Sequence, residues 1–86
     1  MWPNILSGYI LVSAGTRCKR ITSLSECSAA ASFLGLSDTT AELSSNRWQA
    51  PKYCYMENGS LKFNSNFEST EECTATNQCI CKAYGG

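Results

Sequence analysis

A chain of 86 residues with seven basic and seven acidic side chains and no histidine is sized for one small domain and carries no net charge. Nothing supplies the broad positive field that binding to phosphate backbones requires, so nucleic acid is not an expected partner. Without histidine, the Ser-His and Cys-His relays of nucleophilic hydrolases are excluded.

Residues 1–8 form an N-terminal arm with apolar Trp2, Pro3, Ile5 and Leu6. The arm lacks the basic start and long apolar stretch of a secretory signal, which is the form expected of a mature or excised piece of an exported protein. The longest apolar stretch, Tyr9-Ile10-Leu11-Val12, is far below the ~20 residues of a bilayer helix, so no membrane span is expected. Tyr9 to Ser13 is β-branched and aromatic and is bounded by glycine, which predicts a buried first strand.

Ser23-Leu24-Ser25-Glu26 matches a capping box, in which the Ser23 hydroxyl accepts from the Glu26 amide and the Glu26 carboxylate reaches back to the Ser23 amide. Leu24, Cys27, Ala30, Ala31 and Leu34 follow at three- and four-residue spacing and share one face. Gly35 can take the left-handed conformation that closes a helix, with Leu36 folding back onto Ala31, so the helix is predicted to stop near Leu34.

Ser37 to Pro51 reads as a long connection, with one capped helical turn over Asp38 to Leu43. Tyr53 to Glu57 and Ser60 to Asn64 flank Asn58-Gly59, the favoured two-residue hairpin turn. This turn predicts that Glu57 faces Ser60, Met56 faces Leu61, Tyr55 faces Lys62 and Cys54 faces Phe63. Cys54, Met56, Leu61 and Phe63 then form a core face, and Tyr53, Tyr55, Lys62 and Asn64 an outward face. Ser65 to Gln78 is a polar loop, Cys79 to Lys82 a final short strand, and residues 83–86 a C-terminal tail.

The six cysteines follow the pattern Cys18-x8-Cys27-x26-Cys54-x18-Cys73-x5-Cys79-x-Cys81. No C-x-x-C is present and there is no histidine, which argues against zinc and against a redox pair and for structural disulfides. Disulfides place the protein in an oxidising compartment, secreted or on an extracellular surface. A helix with one apolar stripe and a hairpin with one apolar face bury each other. The predicted fold is therefore a small α+β two-layer domain over residues 9–82, with one main helix packed on a short antiparallel sheet. Cys27 on the helix stripe meets Cys54 on the inward hairpin face; Cys73 with Cys79 closes the acidic loop, and Cys18 is left for Cys81. Six cysteines allow fifteen pairings, and this is the one the layout favours. Each bridge supplies ~2–4 kcal/mol, comparable with the ~3–5 kcal/mol available from so small a core.

The stretches Gly15-Thr16-Arg17-Cys18, Ser23 to Ala30, Leu34-Gly35-Leu36, Tyr53-Cys54-Tyr55, Gly59 to Asn64 and Cys79-Ile80-Cys81-Lys82 resemble a cysteine-rich module of predicted secreted or surface proteins of marine algae. More distantly the chain is similar to PAN/apple domains. That resemblance covers about residues 9 to 82 and implies a disulfide-tethered helix on a curved antiparallel sheet, with Cys27–Cys54 as the helix-to-sheet bridge. It also implies binding of protein or carbohydrate, without catalysis.

Tyr53 and Tyr55 on the outward hairpin face, with Lys62 and Asn64 beside them, are candidates for an aromatic sugar or protein contact. Trp48 either joins them or packs over them. Glu68, Glu71 and Glu72 sit in a polar segment suited to a solvated face, and neither a glycosidase pair nor an EF-hand spacing is formed. No metal and no cofactor are expected. Arg17, Lys19 and Arg20 make a small basic patch that could meet an acidic glycan or phosphate but reads first as ordinary surface. Asn58-Gly59-Ser60 is a glycosylation sequon. These features point to a non-catalytic extracellular recognition or adhesion module for carbohydrate or protein. The alternative is a structural subunit that packs into a larger assembly through its apolar N-terminal arm.

Overall fold

Asn58 and Gly59 take positive φ angles of 50° and 85°, the pair a type I′ turn demands, and they fix the hairpin around which the sheet is built. The structure is a computed structural model that describes residues 8–15, 18–44 and 47–83. In chain order the elements are β1 (Tyr9–Val12), α1 (Leu24–Leu34), β2 (Glu42–Ser44), β3 (Tyr53–Glu57), β4 (Ser60–Asn64) and β5 (Asn77–Lys82). The strands form one sheet in the order β1-β5-β3-β4-β2. The β3–β4 register is the one the turn predicts, with Cys54 opposite Phe63 and Tyr55 opposite Lys62.

α1 starts where Ser23 Oγ accepts from the Glu26 amide at 3.1 Å. The reciprocal half of the capping box is replaced: the Glu26 carboxylate accepts from Tyr9 Oη at 2.8 Å and lies 3.6 Å from Lys82 Nζ. The first turn of the helix is thereby fastened to β1 and β5. At the other end Gly35 has φ 73°, its amide donates to Ser32, and the Leu36 amide donates to Ala31 at 3.0 Å, the two bonds of a Schellman ending. Cys27, Ala30 and Ala31 are the buried stripe; Leu34 packs beside it, whereas Leu24 in the first turn stays 40% exposed.

Four expectations change. The first strand is not buried: it is the outermost strand of the sheet that the described residues form, next to β5, and Ile10 and Leu11 are exposed. Asp38 to Leu43 makes no helical turn. Asp38 Oδ1 accepts from the Thr40 amide and Oδ2 from the Leu61 amide at 2.9 Å, which lays the following residues alongside β4 as β2. That pairing is parallel, so the sheet is mixed rather than antiparallel throughout. Finally, β5 begins at Asn77, two residues before the predicted start.

The three disulfides are Cys18–Cys81, Cys27–Cys54 and Cys73–Cys79, as expected, with Cα atoms 5.5, 5.4 and 5.4 Å apart. They divide between two buried clusters. On the helix side Cys27 and Cys54 sit with Ile21, Ala30, Ala31, Met56, Leu61, Phe63 and Ile80. On the opposite side Cys73, Cys79 and Cys81 pack together with Val12 and Cys18 beside them. The domain is thus a helix packed on a sheet whose other face is covered by disulfide-tied loops.

Cys81 pairs with Ile10 on one side and with Arg20 on the other. β3 leaves β5 after Tyr55 pairs with Cys79, and the segment around Lys19 and Arg20 takes the vacated edge, with the Lys82 amide donating to Lys19 at 2.9 Å. This detour brings Arg20 beside the loops at the start of β3. The N-terminal arm apart from Gly8, Arg17, and the last three residues of the tail lie outside the described residues.

Candidate functional site

The outward hairpin platform does not form. Tyr55 is fully buried, because β3 is an interior strand and loops cover its second face; Cys54, Tyr55 and Met56 are buried in succession. Its hydroxyl has no hydrogen-bond partner among the described residues, although Ser44 lies near enough to perturb it. Burial pushes the Tyr55 phenol above its ordinary pKa, against the pull of Arg47, and Glu57 adds to the rise. Tyr53, at φ 67°, is turned out of strand alternation and packs against the helix-side core, its ring 5.9 Å from that of Phe63. The two tyrosines therefore do not share an exposed face.

Asn64 is buried as well, and it acts as a joint. Its Oδ1 accepts from the amides of Arg47 at 3.0 Å and Asn66 at 3.1 Å. Its Nδ2 donates to the carbonyls of Arg47, Ala50 and Pro51 at 2.7, 3.1 and 3.1 Å. Ser69 Oγ adds a bond of 2.7 Å to Ala50. One buried amide thus clamps the 47–51 loop to the 65–69 loop. Lys62 is committed to Glu42 on the neighbouring strand at 3.2 Å, and this partner raises its pKa.

What the clamp presents is a different surface from the predicted one. Of the five expected ligand residues, Trp48 alone is strongly exposed, at 57%, and Phe67 on the second loop is exposed at 63%. Both loops lie at the sheet end where β3 begins and β4 and β2 finish. Next to them a cleft of about 250 Å³ is lined by Arg20, Lys52, Ser69, Thr70 and Glu71. Arg20 Nη1 donates to the Lys52 carbonyl at 3.3 Å, and Nη2 stands 4.0 Å from the Cys73 sulfur. Burial lowers the Arg20 pKa, with the nearby Tyr53 phenol acting in the opposite direction. Lys52 Nζ lies 5.8 Å from the centre of the Tyr53 ring.

Of the basic patch, Arg20 turns inward toward this cleft and Lys19 is exposed. Glu68, Glu71 and Glu72 are all exposed, and among the described residues no group of three His, Cys, Asp or Glu side chains is placed to hold a metal ion. Asn58, Gly59 and Ser60 are exposed at the hairpin tip. The parts that sequence reasoning missed are Phe67, Lys52, Ser69 and Thr70. For Phe67 and Ser69 the signal is Asn64-Ser65-Asn66-Phe67-Glu68-Ser69, a run of local turn formers carrying one large aromatic: Asn66 Oδ1 accepts from the Glu68 amide, and Ser69 Oγ from the Glu71 amide. An aromatic ring inside such turns has little chance to bury itself. Comparison with family models, with curated proteins and with solved structures gives no match.

Proposed function

We propose that this protein is a non-catalytic recognition module of the extracellular space that binds carbohydrate or protein through the loop end of its sheet. The observation that carries this reading is the exposed indole of Trp48 on a loop that the buried Asn64 amide holds in place. A large aromatic side chain on a pre-ordered loop contacts a sugar ring or an apolar side chain without the cost of ordering the loop on binding. Phe67 on the partner loop widens the apolar area, and the polar cleft beside it offers hydrogen bonds. Three disulfides, and no helix among the described residues long and apolar enough to cross a membrane, fit an extracellular protein.

Arrays of immobilised glycans and cell-surface proteins test this directly. Binding by the native chain that falls at least about tenfold in Trp48→Ala, with thermal stability unchanged, is expected. Absence of binding across the array, or binding indifferent to Trp48, argues against it. A second reading, a structural subunit, rests on β1, the outermost strand of the sheet that the described residues form, where Ile10 is 46% and Leu11 36% exposed. Sedimentation of the native chain and of Ile10→Lys separates the readings, since assembly through that strand is lost in the variant while array binding is retained.

A further inference from the structure

We propose that the cleft between Arg20 and Lys52 is a subsite for a carboxylate or sulfate group carried by the ligand, which makes the recognised molecule acidic. This inference rests on the recognition reading above and names the chemistry of its ligand. Two cations line one concavity, and among the described residues no carboxylate lies within 4.0 Å of either. The other basic side chains with ion pairs, Arg47, Lys62 and Lys82, hold Glu57, Glu42 and Glu26. Arg20 is therefore a half-buried guanidinium whose side-chain hydrogen-bond contacts among the described residues are one carbonyl at 3.3 Å and one disulfide sulfur at 4.0 Å, which leaves further N–H donors for a ligand.

A partly desolvated guanidinium without a counterion gains more from an incoming anion than a solvated one, because the attraction is less screened and the desolvation has already been met in folding. The planar fork suits the two oxygens of a carboxylate or sulfate. Lys52 supplies a second charge, and Ser69 and Thr70 belong to the same lining. Glu71 lines the cleft too and opposes the anion, which gives the site a signed signature: removing either cation weakens binding, and removing the Glu71 charge strengthens it.

The test is an amide-shift titration of the isotope-labelled full chain at constant ionic strength with sodium sulfate, with galacturonate and with neutral galactose. Saturable shifts centred on residues 69–71 are expected with one or both anions and not with galactose, and the responding anion identifies the source of the charge. Affinity falls at least about tenfold in Arg20→Gln and in Lys52→Gln and rises in Glu71→Gln. Lys52→Gln changes only the end of a partly exposed side chain, so it reports even if Arg20→Gln is poorly folded. No saturable shift with either anion, equal shifts with galactose, or shifts unchanged in both cation variants overturns the proposal. An unresponsive cleft together with Trp48-dependent array binding removes this subsite and leaves the recognition reading; a responsive cleft with no array binding does the reverse.

Discussion

Asn64 Nδ2 donates to the carbonyl of Ala50 at 3.1 Å, across fourteen residues of chain, from a side chain with no exposed surface. The same amide reaches Arg47 and Pro51, and its oxygen holds the Arg47 and Asn66 amides. Asn64→Ala is therefore expected to strand several buried backbone groups and to cost about 3 kcal/mol, at the upper end for a single buried polar site. Asn64→Asp keeps the acceptor but loses every donor. Urea unfolding and amide exchange check this: both variants show a lowered midpoint and faster exchange over residues 47–51.

Tyr55 gives the opposite sign. Its hydroxyl is buried with no hydrogen-bond partner among the described residues, so Tyr55→Phe removes a desolvated polar atom and is expected to leave stability unchanged or raise it by up to about 1 kcal/mol. The same group shapes the alkaline limb. A phenol raised by burial contributes stability that is present below its unfolded value of 10.0 and is lost as pH rises through the higher folded value. Unfolding midpoints from pH 8 to 12 should fall less steeply in Tyr55→Phe than in the native chain.

Asp38 governs the acid limb. Its carboxylate accepts from the Leu61 amide and then from the Thr40 amide, and these bonds hold it below the ordinary value of 3.8. A depressed carboxylate contributes stability above its unfolded pKa and loses it as pH falls through the folded one. Urea midpoints between pH 5 and 2 are therefore expected to decline through and below the unperturbed value, and Asp38→Asn should remove that part of the slope. Because the Leu61 amide lies at the start of β4, its amide proton should also exchange faster in the variant.

These residues also mark what was legible in the sequence. The Asn58-Gly59 turn specified the whole hairpin register, and Ser23 and Gly35 specified both ends of the helix, because each acts through neighbours in the chain. The disulfide pairing followed, since the helix stripe and the inward hairpin face were both local patterns that had to meet. The outward face was not legible. Whether Tyr55 and Asn64 were exposed depended on loops folding over β3, and loop placement is a tertiary outcome that strand alternation does not encode. The run Tyr53-Cys54-Tyr55-Met56 held the missing clue: no polar residue interrupts it, as in strands buried on both faces. Asp38 looks identical to a helix cap until its second oxygen finds the Leu61 amide, 23 residues away.

The bridges differ in what their loss should cost. Sequence separations of 6, 27 and 63 residues for Cys73–Cys79, Cys27–Cys54 and Cys18–Cys81 rank their chain-entropy contributions, at roughly 2, 3.5 and 4 kcal/mol. Cys27 and Cys54 are also both buried in the helix-side core, so their double alanine variant adds a packing defect and is expected to be the least stable of the three paired replacements. Thermal unfolding of the three double variants checks the order. Retention of near-native stability by the Cys27/Cys54 variant would mean that the helix needs no covalent tie to the sheet.

The central claim is that ligand meets the loop end and not the hairpin face. Amide-shift mapping of the labelled chain with the strongest binder from the arrays tests it most directly. The account predicts perturbations concentrated in residues 47–52 and 65–71 together with Arg20. Perturbations centred instead on Lys62 and Glu42, or on β1, would contradict it.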